Sequence, residues 1–121
     1  MDKIKTIEEL KILVKNFCEE RDWNKFHTPK ELAIGISTEA NELLQIFRFK
    51  NDEDMKMVMS SSKKSEVEEE IADVLYFVLR FAQINDIDLS KALIDKISKN
   101  EEKYPLEKVK GCNKKYNEYD S

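Results

Sequence analysis

Apolar positions recur at helical spacing along most of the chain. Ile7, Leu10, Val14, Phe17 and Cys18 share one face of a helix. Thr6, with Glu9 three residues later, supplies a capping box at its start, so a first helix is predicted over 7–21. A second starts at Thr28-Pro29-Lys30-Glu31, where Thr28 caps, Pro29 takes the first helical position and Glu31 completes a box. Leu32, Ile36, Ala40, Leu43 and Phe47 trace its apolar stripe towards Arg48. Gly35 within it costs about 1 kcal/mol relative to Ala and permits a neighbouring helix to come close. Residues 51–64 are polar, with Met55, Met57, Val58 and Met59 interspersed, and are expected to be a mobile segment with room for a short helix. Ser62 or Ser65 then caps a third long helix, which Asn85-Asp86 ends near Ile84. Between Val74 and Ala82 the chain is apolar nearly all round, which predicts burial on every side. Asp88 or Ser90 caps a fourth helix with Leu89, Leu93 and Ile97 as its inner stripe, and Pro105 stops it near Tyr104.

These elements describe an all-α, four-helix bundle over 1–105 and a polar, loosely held tail over 106–121. Two glycines and two prolines in 121 residues leave little material for hairpin turns, which argues against strands. The third helix carries more apolar surface than three neighbours in one small bundle cover, so a homodimer or homotetramer is expected.

Charge narrows the function classes. The net charge of −4 gives no footprint for a nucleic-acid polymer. No run of 18 apolar residues predicts a membrane span, and the N-terminus has no apolar core of a signal peptide. Cys18 and Cys112 are far apart in sequence and read as reduced thiols of a cytoplasmic protein.

Within this frame four acids stand out. Glu39 and Glu42 are three residues apart, as are Glu70 and Asp73. That spacing puts each pair on one helical face, with Cβ atoms roughly 5–6 Å apart. Glu39 falls between Ile36 and Leu43, inside the apolar stripe, and Glu42 lies at its edge. Glu70 sits between Val67 and Val74, and Asp73 precedes the most apolar run of the chain. Carboxylates in such surroundings need partners or a metal, because an unpaired buried charge is very costly. Two such faces, with axes roughly 8–10 Å apart, form a four-carboxylate cage. Hard divalent cations take oxygen ligands, and Mg²⁺ is usually shared between carboxylates and phosphates. The four acids alone would repel a polyphosphate; bound cations reverse the sign of the site.

Two further groups of residues are candidates. The connector Asp22-Trp23-Asn24-Lys25-Phe26-His27 holds two aromatics and the only histidine. It offers either a plug for the core or a stacking surface for a base; Phe49 has the same two readings. Lys96, Asn100 and Lys103 share one face of the fourth helix at i, i+4 and i+7, a pattern that by itself reads as a solvated face.

Four segments together resemble the MazG-like, all-α nucleotide pyrophosphohydrolases, in the branch typified by dCTP pyrophosphatase. Arg21-Asp22-Trp23-Asn24-Lys25-Phe26-His27 is similar to that branch's RDWxxFH segment. Glu39-Ala40-Asn41-Glu42 resembles the latter part of the family's EExxE motif, with Thr38 in place of its first Glu. Glu70-Ile71-Ala72-Asp73 resembles its ExxD, and Lys96 to Pro105 its closing K…NxxKYP segment. The resemblance implies Mg²⁺-dependent cleavage of a nucleoside triphosphate between the α and β phosphates, giving the monophosphate and pyrophosphate. By position it implies Glu39, Glu42, Glu70 and Asp73 as metal ligands; chemistry adds the expectation that one of the glutamates, Glu39 or Glu42, takes the proton of the attacking water. Lys96, Asn100, Lys103 and Tyr104 would meet phosphates and sugar, and Trp23, His27 and Phe49 would border the base.

Two other readings compete. A di-iron carboxylate bundle wants Glu-x-x-His on two helices, and His27 completes no such motif. A non-catalytic helical adaptor or regulatory dimer would use the acids structurally.

Overall fold

The helices start where a side chain or a neighbouring turn meets their first free amides. The computed structural model describes residues 1–111. Helix α1 spans Ile7–Glu20, capped by the Thr6 hydroxyl, which accepts from the Glu9 amide while the Glu9 carboxylate accepts from the Thr6 amide. A 3₁₀ turn follows over Asn24–Phe26. Helix α2 spans Pro29–Phe47; Thr28 accepts from the Glu31 amide, the first half of the predicted box. Helix α3 occupies Asp52–Ser60, capped by Asn51, and realises the short helix for which the polar segment has room. Helix α4 spans Lys64–Ile84, α5 spans Leu89–Lys103 and a single turn, α6, covers Leu106–Val109. No strand occurs among the described residues, and none of their helices is long and apolar enough to cross a membrane.

Two details differ from the sequence-based expectation. The N-cap of α4 is Lys63, without a side-chain cap, instead of Ser62 or Ser65. The Ser65 hydroxyl turns back and donates to the Ser62 carbonyl, a local bond that competes with capping. The predicted tail begins with α6, while residues 112–121, Cys112 included, lie outside the described residues.

The described chain divides into two units, Met1–Ile87 and the residues from Asp88 onward. In the first, α4 packs most extensively along α2, then along α1, and over a smaller area on α3. Cys18, Leu32, Val58, Val67, Leu79 and Ala82 form the buried core, with each of the four helices contributing. Each buried aliphatic side chain there is worth roughly 1.5–3 kcal/mol. Where Gly35 of α2 faces α4, a Cβ would lie 2.6 Å from the Phe77 ring. The missing side chain therefore permits the close approach expected of this glycine. Lys11 is buried, and its ammonium donates to the carbonyl of Ile87.

Burial of α4 is one-sided. Leu75 within the apolar run is 41% exposed, and Ile71 one turn before it 51%, so the described residues do not cover this helix all round. The physical reason is that α1, α2 and α3 supply too little surface to surround it. In the second unit, Asp88 caps α5 by accepting from the Lys91 amide. Its predicted inner stripe stays open: Leu93 and Ile97 are exposed, and α5 has no buried residue.

Candidate active site

The helical periodicity of α2 and α4 determines where their acids point. Glu39 and Glu42 are on one face of α2, and Glu70 and Asp73 on one face of α4. The pairing of Gly35 with Phe77 sets the register: one turn further along α2 lies Glu39, and one turn back along α4 lies Asp73. The two helices thus run antiparallel, and the four acids meet. One carboxylate oxygen from each of Glu39, Glu42, Glu70 and Asp73 lies within 4.8 Å of all the others. Glu39 and Glu70 are half-buried, whereas Glu42 and Asp73 reach solvent, so the cluster sits at the mouth of the α2–α4 interface.

Four like charges this close cannot all stay ionised at no cost. Burial, followed by the adjoining Glu42 carboxyl and the charges of Asp73 and Glu70, pushes the Glu39 carboxyl up to about 7. Glu70 is raised as well, by burial first and then by Glu42 and Asp73. Glu39 Oε2 and Glu70 Oε2 are both sealed from solvent and have no hydrogen-bond partner. A buried oxygen with unused lone pairs is costly unless a proton or a cation answers it. The donor set consists of carboxylates alone, hard oxygen ligands without histidine or thiolate. This fits a divalent cation of the hard class.

The connector before α2 is held by a residue that periodicity did not single out. Arg80 of α4 is 1% exposed. Its Nε donates to His27 Nδ1 at 2.9 Å, Nη1 to Gln83 Oε1 and Nη2 to Asn24 Oδ1. No carboxylate pairs with it among the described residues. Burial and the Arg80 charge hold the His27 imidazole below its usual pKa. Trp23 packs edge-on against His27, with centroids 6.3 Å apart, and against Phe17, at 5.6 Å. Trp23 is therefore part packing and part surface, being 37% exposed. The signal that marks Arg80 in the sequence is a lone guanidinium inside an apolar helical run, seven residues after Asp73.

The remaining candidates belong to other segments of the chain. Phe49 follows α2 with a left-handed backbone (φ 66°), is 92% exposed, and lies under the Arg48 guanidinium, 4.7 Å from its ring centroid. Lys96, Asn100 and Lys103 belong to α5 in the second unit, and the Tyr104 amide closes that helix on the Asn100 carbonyl.

Comparison with known proteins agrees with this architecture. The MazG-like family matches residues 34–119, which include all four acids. dCTP pyrophosphatase 1 of Rattus norvegicus is 32% identical over 112 residues, 92% of this chain and 66% of that protein. The Homo sapiens protein of the same name is 32% identical over 114 residues, 93% of this chain and 67% of its own length. The chain thus spans about two thirds of the length of these relatives. The crystal structure of a pyrophosphatase from Archaeoglobus fulgidus superposes with a TM-score of 0.75 at 43% identity, over 82% of this chain and 92% of that one. On the matched span, the shared sequence and the helical arrangement around the acids, the chain belongs to the MazG-like family.

Proposed function

We propose that this protein is a Mg²⁺-dependent nucleoside triphosphate pyrophosphohydrolase, acting on dCTP or a modified nucleotide in clearing the nucleotide pool. The observation that carries the reading is the acid quartet, with oxygens within 4.8 Å of one another and two of them buried without a partner. The names of the relatives, pyrophosphatase and dCTP pyrophosphatase, supply the reaction class.

Glu39, Glu42, Glu70 and Asp73 hold the cation in this reading. Bound Mg²⁺ supplies charge neutralisation for the phosphates and acidifies water. Glu39 or Glu42 accepts the proton of the attacking water. The water oxygen bonds to the α phosphorus as the bond from that phosphorus to the α,β-bridging oxygen breaks, and pyrophosphate leaves with that bond's electron pair. Lys96, Asn100, Lys103 and Tyr104 contact phosphates and sugar, and Trp23, His27 and Phe49 border the base. A second copy of the chain, as homodimer or homotetramer, covers the exposed Ile71 and Leu75 of α4. Two cysteines far apart in sequence, without CxxC spacing, support a cytoplasmic setting.

The test is a pyrophosphate-release screen over standard and modified dNTPs and NTPs, with Mg²⁺ and with chelator. The expected result is release from a subset of nucleotides that chelator abolishes. A folded sample that leaves every nucleotide intact would overturn the proposal in favour of a binding module.

A further inference from the structure

A buried guanidinium normally answers a carboxylate or phosphate; Arg80 answers three neutral acceptors on the His27 connector and its own helix. All three of its nitrogens are used: Nη1 is spent on Gln83 of its own helix, while Nε and Nη2 reach His27 and Asn24, 53 or more residues away in sequence. Arginine has no acceptor, so its bond to His27 fixes chemistry as well as position. His27 Nδ1 must be bare to accept from Arg80 Nε, and the proton of the neutral ring must then reside on Nε2. His27 Nε2 is neither hydrogen-bonded within the described residues nor sealed from solvent. Protonating Nδ1 would turn the acceptor into a donor aimed at a buried cation.

We infer that Arg80 is a positioning residue that locks His27 into its neutral Nε2–H tautomer, making the ring a one-way hydrogen-bond donor to an acceptor atom on the base of the substrate. Placement agrees with this. Arg80 follows Asp73 by seven residues on α4, so the two lie on one face about 10 Å apart along the axis. The cation end and the base end of a nucleotide are then both read from α4. A neutral donor also suits an uncharged base, whereas an imidazolium would add charge with no anion to meet.

The inference rests on the nucleotide reading for its ligand but not for its tautomer, and the experiment separates the two. The chain has one histidine, so histidine labelled with nitrogen-15 gives a single ring in a long-range proton–nitrogen correlation spectrum. At neutral pH the expected spectrum has a protonated Nε2 and a bare Nδ1. A protonated Nδ1, an imidazolium, or two averaged nitrogens would overturn the inference. In Arg80→Met the two nitrogens should average towards a tautomer mixture, and retention of the single Nε2–H form would overturn it. Should that variant not fold, the wild-type spectrum decides alone. With an active nucleoside triphosphate, Arg80→Met should raise KM about three- to tenfold, the worth of one oriented hydrogen bond, with kcat within about twofold. Its Mg²⁺-induced thermal shift should equal that of the parent. An unchanged KM would overturn the donor role. A parent protein that hydrolyses no nucleotide would defeat the ligand assignment, while the spectrum would still report the lock itself.

Discussion

The Phe77 ring closes on Gly35 so tightly that a Cβ there would lie 2.6 Å from its nearest atoms. Adding a methyl group at Gly35 brings two opposed effects. Alanine gains about 1 kcal/mol of helix propensity, while overpacking a tight interface costs typically about 1–3 kcal/mol. Three ring atoms lie under 3.0 Å, so the steric term dominates. Gly35→Ala should lower the melting temperature, and adding Phe77→Leu should recover part of the loss. Additive losses in the double variant would show that the two positions are not coupled. Because Glu39 and Asp73 are one turn away, Gly35→Ala should also weaken the cation-induced thermal shift.

Removing one member of the quartet should separate stability from activity. Glu70→Ala or Asp73→Ala is expected to abolish metal-dependent pyrophosphate release while circular dichroism reports unchanged helix content. Thermal melts in chelator should be equal to or higher than those of the parent, because one of four crowded carboxylates is gone. Full turnover in either variant would defeat the assignment of these acids.

The raised Glu39 pKa gives a signed pH dependence. Its folded value, about 7, exceeds the ordinary 4.5. Between these values the folded state binds more proton than the unfolded state, so stability must fall as pH rises through the window. The contribution is full below about pH 4.5 and lost above about pH 7. In chelator, melts of the parent against Glu39→Gln should therefore diverge across this range, with the parent losing stability on the alkaline side. A divalent cation should reverse the trend, since it competes with protons for the same oxygens. At a concentration 100 times its dissociation constant, it should add about 2.7 kcal/mol. Identical pH profiles for parent and variant would remove Glu39 from this role.

The α1 cap supplies a prediction unconnected to chemistry. Thr6→Ala removes the hydroxyl that meets the Glu9 amide and leaves the reciprocal carboxylate bond without its partner geometry. The expected cost is about 1 kcal/mol, read as a lower denaturation midpoint with unchanged slope and unchanged pyrophosphate release.

The long helices were legible because their starts are chemical: Thr6, Thr28 and Asp88 cap as their side chains dictate. The acid pairs were legible because i,i+3 spacing within apolar stripes leaves few other faces for them. Three things were not. Periodicity identifies which face of a helix is apolar but not what covers it, so Leu75, Leu93 and Ile97 read as interior and are exposed among the described residues. Arg80 resembles an interruption in an apolar run; its meaning depends on Asn24 and His27, far outside any local window. Lys63 as the N-cap of α4 is similarly silent, because the preceding turn over Ser61 and Ser62 takes over the work of a capping side chain.

The ammonium of Lys11 resting on the Ile87 carbonyl joins residues 76 positions apart. A helix end held only by its own backbone frays, and its amides exchange quickly with deuterium. Here the turn that closes α4, where the Ile87 amide donates back to the Ala82 carbonyl, is latched to the first helix, so opening it must also break the bond to Lys11. Those terminal amides should exchange as slowly as the middle of α1, as parts of one cooperative opening unit.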